Sequence, residues 1–164
     1  MIKAIACIGK NRELGKNNGL IFNIKADMEM FKKITTGAFV VLGSNTLKSF
    51  PKGRPLKNRV HLLLCRKGNE QKDCLCFNTL EQLLNTINIL NKQFDIYIIG
   101  GGMIYKTLLP YCEELILTEV EAEDKEATVF FPEYKKDFEI KNVSEEFIEN
   151  NYKFKFITYK RKEN

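Results

Sequence analysis

Tryptophan is absent from this chain and histidine occurs once, as His61. No site in it can use an indole N–H. A zinc centre built on imidazoles is excluded, because zinc takes three or four His, Cys or carboxylate ligands at characteristic spacing. The five cysteines, Cys7, Cys65, Cys74, Cys76 and Cys112, are an odd number without such spacing. They suit neither a disulfide framework nor a zinc ribbon, and fit a reducing cytosol. Nothing local pairs His61 with a cysteine nucleophile. Apolar runs stop well short of the ~18 residues of a membrane span. The apolar start, Met1 to Ile8, is short and lacks a small-residue cleavage site, so it reads as a first strand rather than a signal peptide.

What is present describes one soluble globular domain over residues 1–164, with 44% apolar and 29% charged residues and a net charge of +5. The basic residues are spread out, apart from a modest cluster in Lys153 to Lys162 that alternates with aromatics. That alternation suits a reader of single-stranded nucleic acid. It suits better a half-buried strand with Phe154 and Phe156 inward, lysines in water and a change of phase at Ile157. A mildly basic chain also favours a polyanionic small ligand.

Strand patterns cover Ile2–Gly9, Phe39–Gly43, Arg59–Cys65, Leu75–Asn78, Phe94–Ile99 and Glu114–Val120. Between them fall helical patterns at Ile24–Thr35, a short one after Ser44 (a candidate cap), Thr79–Leu90 and Met103–Leu109. Gly37 stops the first helix. Thr79 and Gln82 form a capping-box pattern ahead of the stripe Leu80, Leu83, Leu84, Ile87, Leu90. Pro110 ends the last helix. Lys10 to Asn23 is a long polar loop, of the kind that is usually functional in a compact domain. Glu121 to Thr128 is an acidic loop, and Phe138–Phe147 can pair with Tyr152–Lys160. The alternation predicts an α/β fold. Its centre is a mostly parallel sheet of about eight strands with helices on both faces and a C-terminal antiparallel hairpin. In such sheets ligands sit at the carboxyl ends of the strands.

Two features carry chemistry. At helical spacing Ile24, Asp27, Met28, Phe31, Ile34 and Thr35 form one stripe, so a single carboxylate lies on an otherwise apolar face. Such a group is costly unless something pairs with it, and that partner is either backbone or a ligand. The plainer alternative is an acid placed in the first turn by the helix dipole. The second feature is Gly100-Gly101-Gly102, which follows a strand and opens a helix. Three glycines exceed what a turn requires, and let backbone N–H groups approach an anion. The spacing is neither the dinucleotide fingerprint nor a Walker loop.

Over essentially its whole length the chain resembles bacterial dihydrofolate reductase. The resemblance is carried by Ile5-Ala6, Leu14-Gly15, Ala26-Asp27-Met28 with Phe31-Lys32, and Gly43 with Thr46. It continues through Gly53-Arg54-Pro55-Leu56 with Arg59, Ile99-Gly-Gly-Gly-Met-Ile-Tyr105, Leu117-Thr118 and Phe131-Pro132. It implies hydride transfer from NADPH to C6 of 7,8-dihydrofolate with a proton added at N5. Asp27 is the implied pterin-binding and catalytic carboxylate, supported by Thr118 through its hydroxyl and a water. Ile5, Met28, Phe31, Phe50, Leu56 and Ile99 are implied to line the substrate pocket. Arg59 would take the glutamate α-carboxylate, with Lys32 and Arg54 near that tail.

On the cofactor side the resemblance implies Cys7, Leu14, Gly15, Asn18, Gly19 and Leu20, with the loop from Lys10 to Ile24 closing over the nicotinamide. It also implies Gly43, Ser44, Asn45 and Thr46, then Cys65, Arg66, Lys67 and Asn78. Finally it implies Ile99, the three glycines with a cis peptide between the first two, Met103, Ile104 and Tyr105. Antifolates are the implied inhibitors. A monomer in the cytoplasm, without nucleic-acid or membrane partners, is expected. The alternatives are the pyrimidine reductase of riboflavin biosynthesis on the same fold, against which Asp27, Phe31 and Arg59 argue, and a non-catalytic binding module. Five departures stand out. Ile21-Phe22 replaces the usual Pro-Trp. Ser44 and Met103 stand where basic residues often meet the cofactor's 2′-phosphate. His61 replaces a frequent Asn, and Glu126-Ala127-Thr128 lacks an Asp before Thr.

Overall fold

A computed structural model describes residues 1–16 and 19–163. The chain's apolar strands assemble the main sheet from β1 (Ile2–Ile8), β4 (Phe39–Gly43), β5 (Val60–Leu64), β6 (Leu75–Phe77), β7 (Ile96–Gly100) and β8 (Glu114–Val120). These six are mutually parallel, as their helical crossovers require. Antiparallel β12 (Tyr152–Arg161) and β10 (Phe138–Val143) extend the β8 edge, giving the order β10-β12-β8-β1-β7-β4-β5-β6. The expected α/β architecture is therefore the observed one. Both faces are covered. Leu83 and Ile87 of α3 (Leu80–Leu90) and Ile104 and Leu108 of α4 (Gly102–Leu108) pack on one side. Phe31 and Ile34 of α1 (Lys25–Thr35) and Leu47 of α2 (Ser44–Ser49) pack on the other.

Local chemistry sets most boundaries. Gly37, at φ +80°, follows α1, and Thr79 Oγ1 caps α3 by accepting from Gln82 N at 3.2 Å. In β12 the buried positions are Phe154, Ile157 and Tyr159, the expected change of phase at Ile157. Two expectations need correction, the Ser44 cap and the C-terminal pairing. Ser44 is not a cap: Gly43 holds that position without a side-chain bond, and Ser44 is already helical. The last helix ends at Leu108, as expected, and Pro110 sits inside the following 3-10 turn, Leu109–Tyr111, where its missing N–H costs nothing. The C-terminal pairing is split. β10 ends at Val143, and β11 (Phe147–Glu149) forms the actual hairpin with β12 across Asn150 and Asn151, both at positive φ.

The segment read as a polar loop also holds structure. β2 (Glu13–Lys16) pairs with β3 (Gly19–Leu20) and with β9 (Val129–Phe130), forming a small antiparallel sheet. It ties the segment after β1 to the segment after β8. Glu13, which is 1% exposed, bridges the same two segments. Its carboxylate accepts Asn11 N at 2.7 Å and Asp124 N at 2.8 Å.

Candidate active site

Asp27 faces the sheet from the first turn of α1, opposite β8. Thr118, buried on β8 and paired in register with Cys7 of β1, donates its Oγ1–H directly to Asp27 Oδ1 at 2.6 Å. Burial pushes the Asp27 carboxyl above the usual range, and the Thr118 hydrogen bond pulls part of the way back. Among the described residues no cation forms an ion pair with it. The unpaired acid expected from the stripe is therefore present, but the stripe itself is not closed: Met28 is 55% exposed. The face of α1 is thus partly open to solvent rather than sealed in the core. No residue at Ile24 caps this helix; instead Glu149 of β11 accepts the N–H groups of Lys25 and, at 3.1 Å, of Ala26.

Farther along α1, Arg59 is fixed by two donations, Nε to Thr35 Oγ1 at 3.1 Å and Nη1 to the Lys57 carbonyl at 2.8 Å. Its guanidinium lies 6.0 Å from the Phe31 ring centroid. No carboxylate among the described residues pairs with it. Phe50 and Leu56 are half-buried near it, and Lys32 and Arg54 reach solvent. Ile5 and Ile99 lie in the floor, and the Ile5 carbonyl accepts Tyr105 Oη at 2.6 Å.

The glycine turn lies beside the β4–α2 turn because β7 and β4 pair in parallel, with Leu42 opposite Gly100. The Gly100–Gly101 peptide is cis, and Gly100 sits at φ +118°. A Cβ on Gly102 would come within 2.7 Å of Val129 Cγ1, so any side chain there would have to displace Val129. Thr46 Oγ1 borders Gly101, Ile104 borders Gly43, and Ser44 and Asn45 continue the turn. Met103 is 75% exposed.

At the end of β5, Arg66 and Lys67 are exposed after buried Cys65. Asn78 is occupied there, donating to the Cys65 carbonyl and to Glu70, each at 3.1 Å. In the segment after β1, Leu14 is buried in the main core, Gly15 is buried, and Gly19 and Leu20 are exposed. The expectation for Asn18 falls outside the described residues. No group of His, Cys, Asp and Glu among the described residues is placed to hold a metal. A cleft of about 680 Å³ lies elsewhere, between Lys10, Glu119, Tyr134 and Lys155, and includes none of these site residues.

Sequence reasoning missed three contributors: Glu13, Glu149, and the contact of His61 with the Leu56 amide. Only Glu149 left a signal, in that a helix beginning at Ile24 has no local capping side chain.

The dihydrofolate reductase family model matches residues 1–161. The chain belongs to the dihydrofolate reductase family. It is 32% identical to the dihydrofolate reductase of Bacillus subtilis, over 99% of this chain and 95% of that one. It is 31% identical to that of Haemophilus influenzae, over 93% of each. The structure of the Enterococcus faecalis dihydrofolate reductase, complexed with NADP(H) and RAB-propyl, matches with a TM-score of 0.87 at 25% identity, covering 99% of this chain and 97% of that one. This chain is an enzyme of that family, and its reaction is the reduction of dihydrofolate.

Proposed function

We propose that Asp27 is the residue on which the reduction of 7,8-dihydrofolate to tetrahydrofolate turns in this chain. The observation that carries the reading is a half-buried carboxylate held by Thr118 Oγ1 at 2.6 Å with no ion-pairing cation among the described residues. A carboxylate so placed takes the amino group and ring N–H of the pterin, and its charge favours a proton on N5, supplied through water. Met28, Phe31, Phe50 and Leu56, with Ile5 and Ile99 beneath, form the pterin and benzoyl walls. Arg59 is pre-set by Thr35 and Lys57 with one edge of its fork left for the glutamate carboxylate. Lys32 and Arg54 add charge near the tail.

Residues present also fit NADPH, the cofactor class bound by the Enterococcus relative. Two turns without bulky side chains, at Gly43 and at Gly100 to Gly102, end adjacent parallel strands. Exposed Arg66 and Lys67 stand one strand farther along, where a 2′-phosphate would meet them. When bound, NADPH supplies the hydride. The chain's part is to cradle the pyrophosphate with backbone and to exclude water with the segment from Lys10 to Ile24. A single-domain monomer in the cytoplasm is the matching physical state.

The test is Asp27→Asn. It keeps the shape and removes the charge, and should lower the hydride-transfer rate by roughly 100-fold or more at pH 7, the scale of acid–base effects. The deficit should narrow at low pH, where substrate enters already protonated. Full activity of the Asn variant at pH 7 would refute the role.

A further inference from the structure

The chain's one histidine is buried beside the substrate wall. His61 is 2% exposed on β5. Val40 of β4 is its register partner, and the Phe50 ring meets the imidazole edge-on at 6.4 Å. Buried polar atoms are costly unless bonded. Nε2 of His61 accepts the Leu56 N–H at 3.1 Å. A ring nitrogen that accepts carries no proton, so the neutral tautomer holds its proton on Nδ1. Nδ1 itself finds no partner of hydrogen-bond geometry among the described residues. Leu56 lies in the irregular stretch between the 3-10 turn at Pro51–Gly53 and β5, where no strand ladder fixes the backbone.

We propose that His61 is a positioning residue for dihydrofolate binding: by accepting from the Leu56 amide it holds the benzoyl wall of Leu56 and Phe50 in its binding geometry. The inference rests on the assignment of that wall made above. Protonation would aim an Nε2–H at the Leu56 N–H, two donors face to face, so the contact exists only while the ring is neutral. Burial pushes the His61 ionisation below its ordinary value; the Arg59 backbone offsets part of this, and the Arg59 guanidinium adds to the downward push. Arg59 is the charged group acting on the ring. Phe50, Leu56 and Val40 are not titratable. Cys74, which precedes the Leu75 that pairs with Leu62, is a thiol pushed up to about 11 by burial and is uncharged. The contact is therefore intact at neutral pH. It survives below the ordinary imidazole range and is lost only as pH falls through the lowered folded value.

The experiment measures kcat and KM for dihydrofolate against pH, with the Kd for NADPH, in the wild type, His61→Leu, His61→Gln and Leu56→Ala. His61→Leu should raise KM by roughly 10-fold, the scale of a buried amide losing its acceptor, and leave kcat nearly unchanged. His61→Gln keeps an acceptor near the Nε2 position and should restore KM at pH 7. As pH falls through the lowered His61 ionisation the wild-type KM should climb while that of His61→Gln stays flatter. Asp27 is common to both, so the difference belongs to the imidazole. NADPH affinity should hold throughout. Identical KM profiles for wild type and His61→Gln would overturn the proposal even if His61→Leu failed to fold. So would a normal KM in His61→Leu. Leu56→Ala keeps its amide, and a normal KM there would instead overturn the assignment of the wall.

Discussion

At the residue scale the site is built on one group held against its preference. Burial raises the Asp27 carboxyl in the folded chain. Between its ordinary value and the raised one, the folded state binds more protons than the unfolded state. Stability is therefore greatest at low pH and falls as pH rises through the folded value. At pH 7 the charge destabilises the ligand-free fold. Asp27→Asn should accordingly melt higher than wild type at pH 7, by roughly 2–4 °C for each kcal/mol recovered in a chain of this size. The gap should close in acid. Equal melting temperatures at pH 7 would show that Thr118 already compensates fully. The cofactor's 2′-phosphate presents the reverse problem, a charge without an obvious partner. Ser44 and Met103 bring no cation, and Glu70 lies in the same turn as Arg66, where it accepts the Gly68 N–H. Arg66→Ala should therefore cost NADPH roughly 10-fold in kcat/KM, the lower end for a charge-assisted contact since Arg66 is exposed, and barely affect NADH. An unchanged preference would move recognition to Lys67 or Lys48.

Elements differ in how openly the sequence declares them. β8 was legible residue for residue from its apolar pattern, and α3 from its Thr79 cap, because each signal is local. β2 and β3 were not: strands of four and two residues have no periodicity to read, and β2 owes its existence to Val129 and Phe130, far along the chain. The cap of α1 was not legible for a similar reason. A helix beginning at Ile24 looks uncapped, yet the turn Asn150-Asn151 brings Glu149 onto its first N–H groups, while Asn150 Nδ2 bonds the Asn23 carbonyl at 3.1 Å. The C-terminal hairpin thus caps the helix that bears Asp27. Glu149→Ala should cost about 0.5–2 kcal/mol, as loss of a helix cap does. Glu149→Gln, with one acceptor left, should fall between. Thermal melts decide it, and no loss in Glu149→Ala would mean that water serves the N–H groups equally well.

The whole molecule joins two halves of a site through two chain segments that meet far from the sheet's centre. Substrate-side residues were legible because Asp27 broke an apolar stripe, and the glycine turn because three glycines exceed a turn's needs. What joins the segments was hidden, since a buried acid such as Glu13 looks like any loop carboxylate until the fold surrounds it. Its two oxygens take the Asn11 and Asp124 amides, Thr128 N bonds the Gly15 carbonyl at 3.0 Å, and Lys16 pairs with Asp124 at 2.8 Å. The ion pair is only half-buried, open to screening by solvent, and counts for less. The amide bonds count for more, because they are charge-assisted and satisfy the buried Glu13 carboxylate. The segment proposed to shield the nicotinamide is therefore held by Glu13 rather than by Lys16. Glu13→Gln turns one acceptor into a donor facing an N–H, and should both speed proteolytic cleavage within residues 10–24 and slow hydride transfer by roughly 10-fold in single turnover. Lys16→Ala should do little at physiological salt. Single turnover is the right measure, because product release can limit the steady state and mask a looser cover. If Lys16→Ala damaged the enzyme while Glu13→Gln did not, the strap would be ionic and the buried carboxylate incidental.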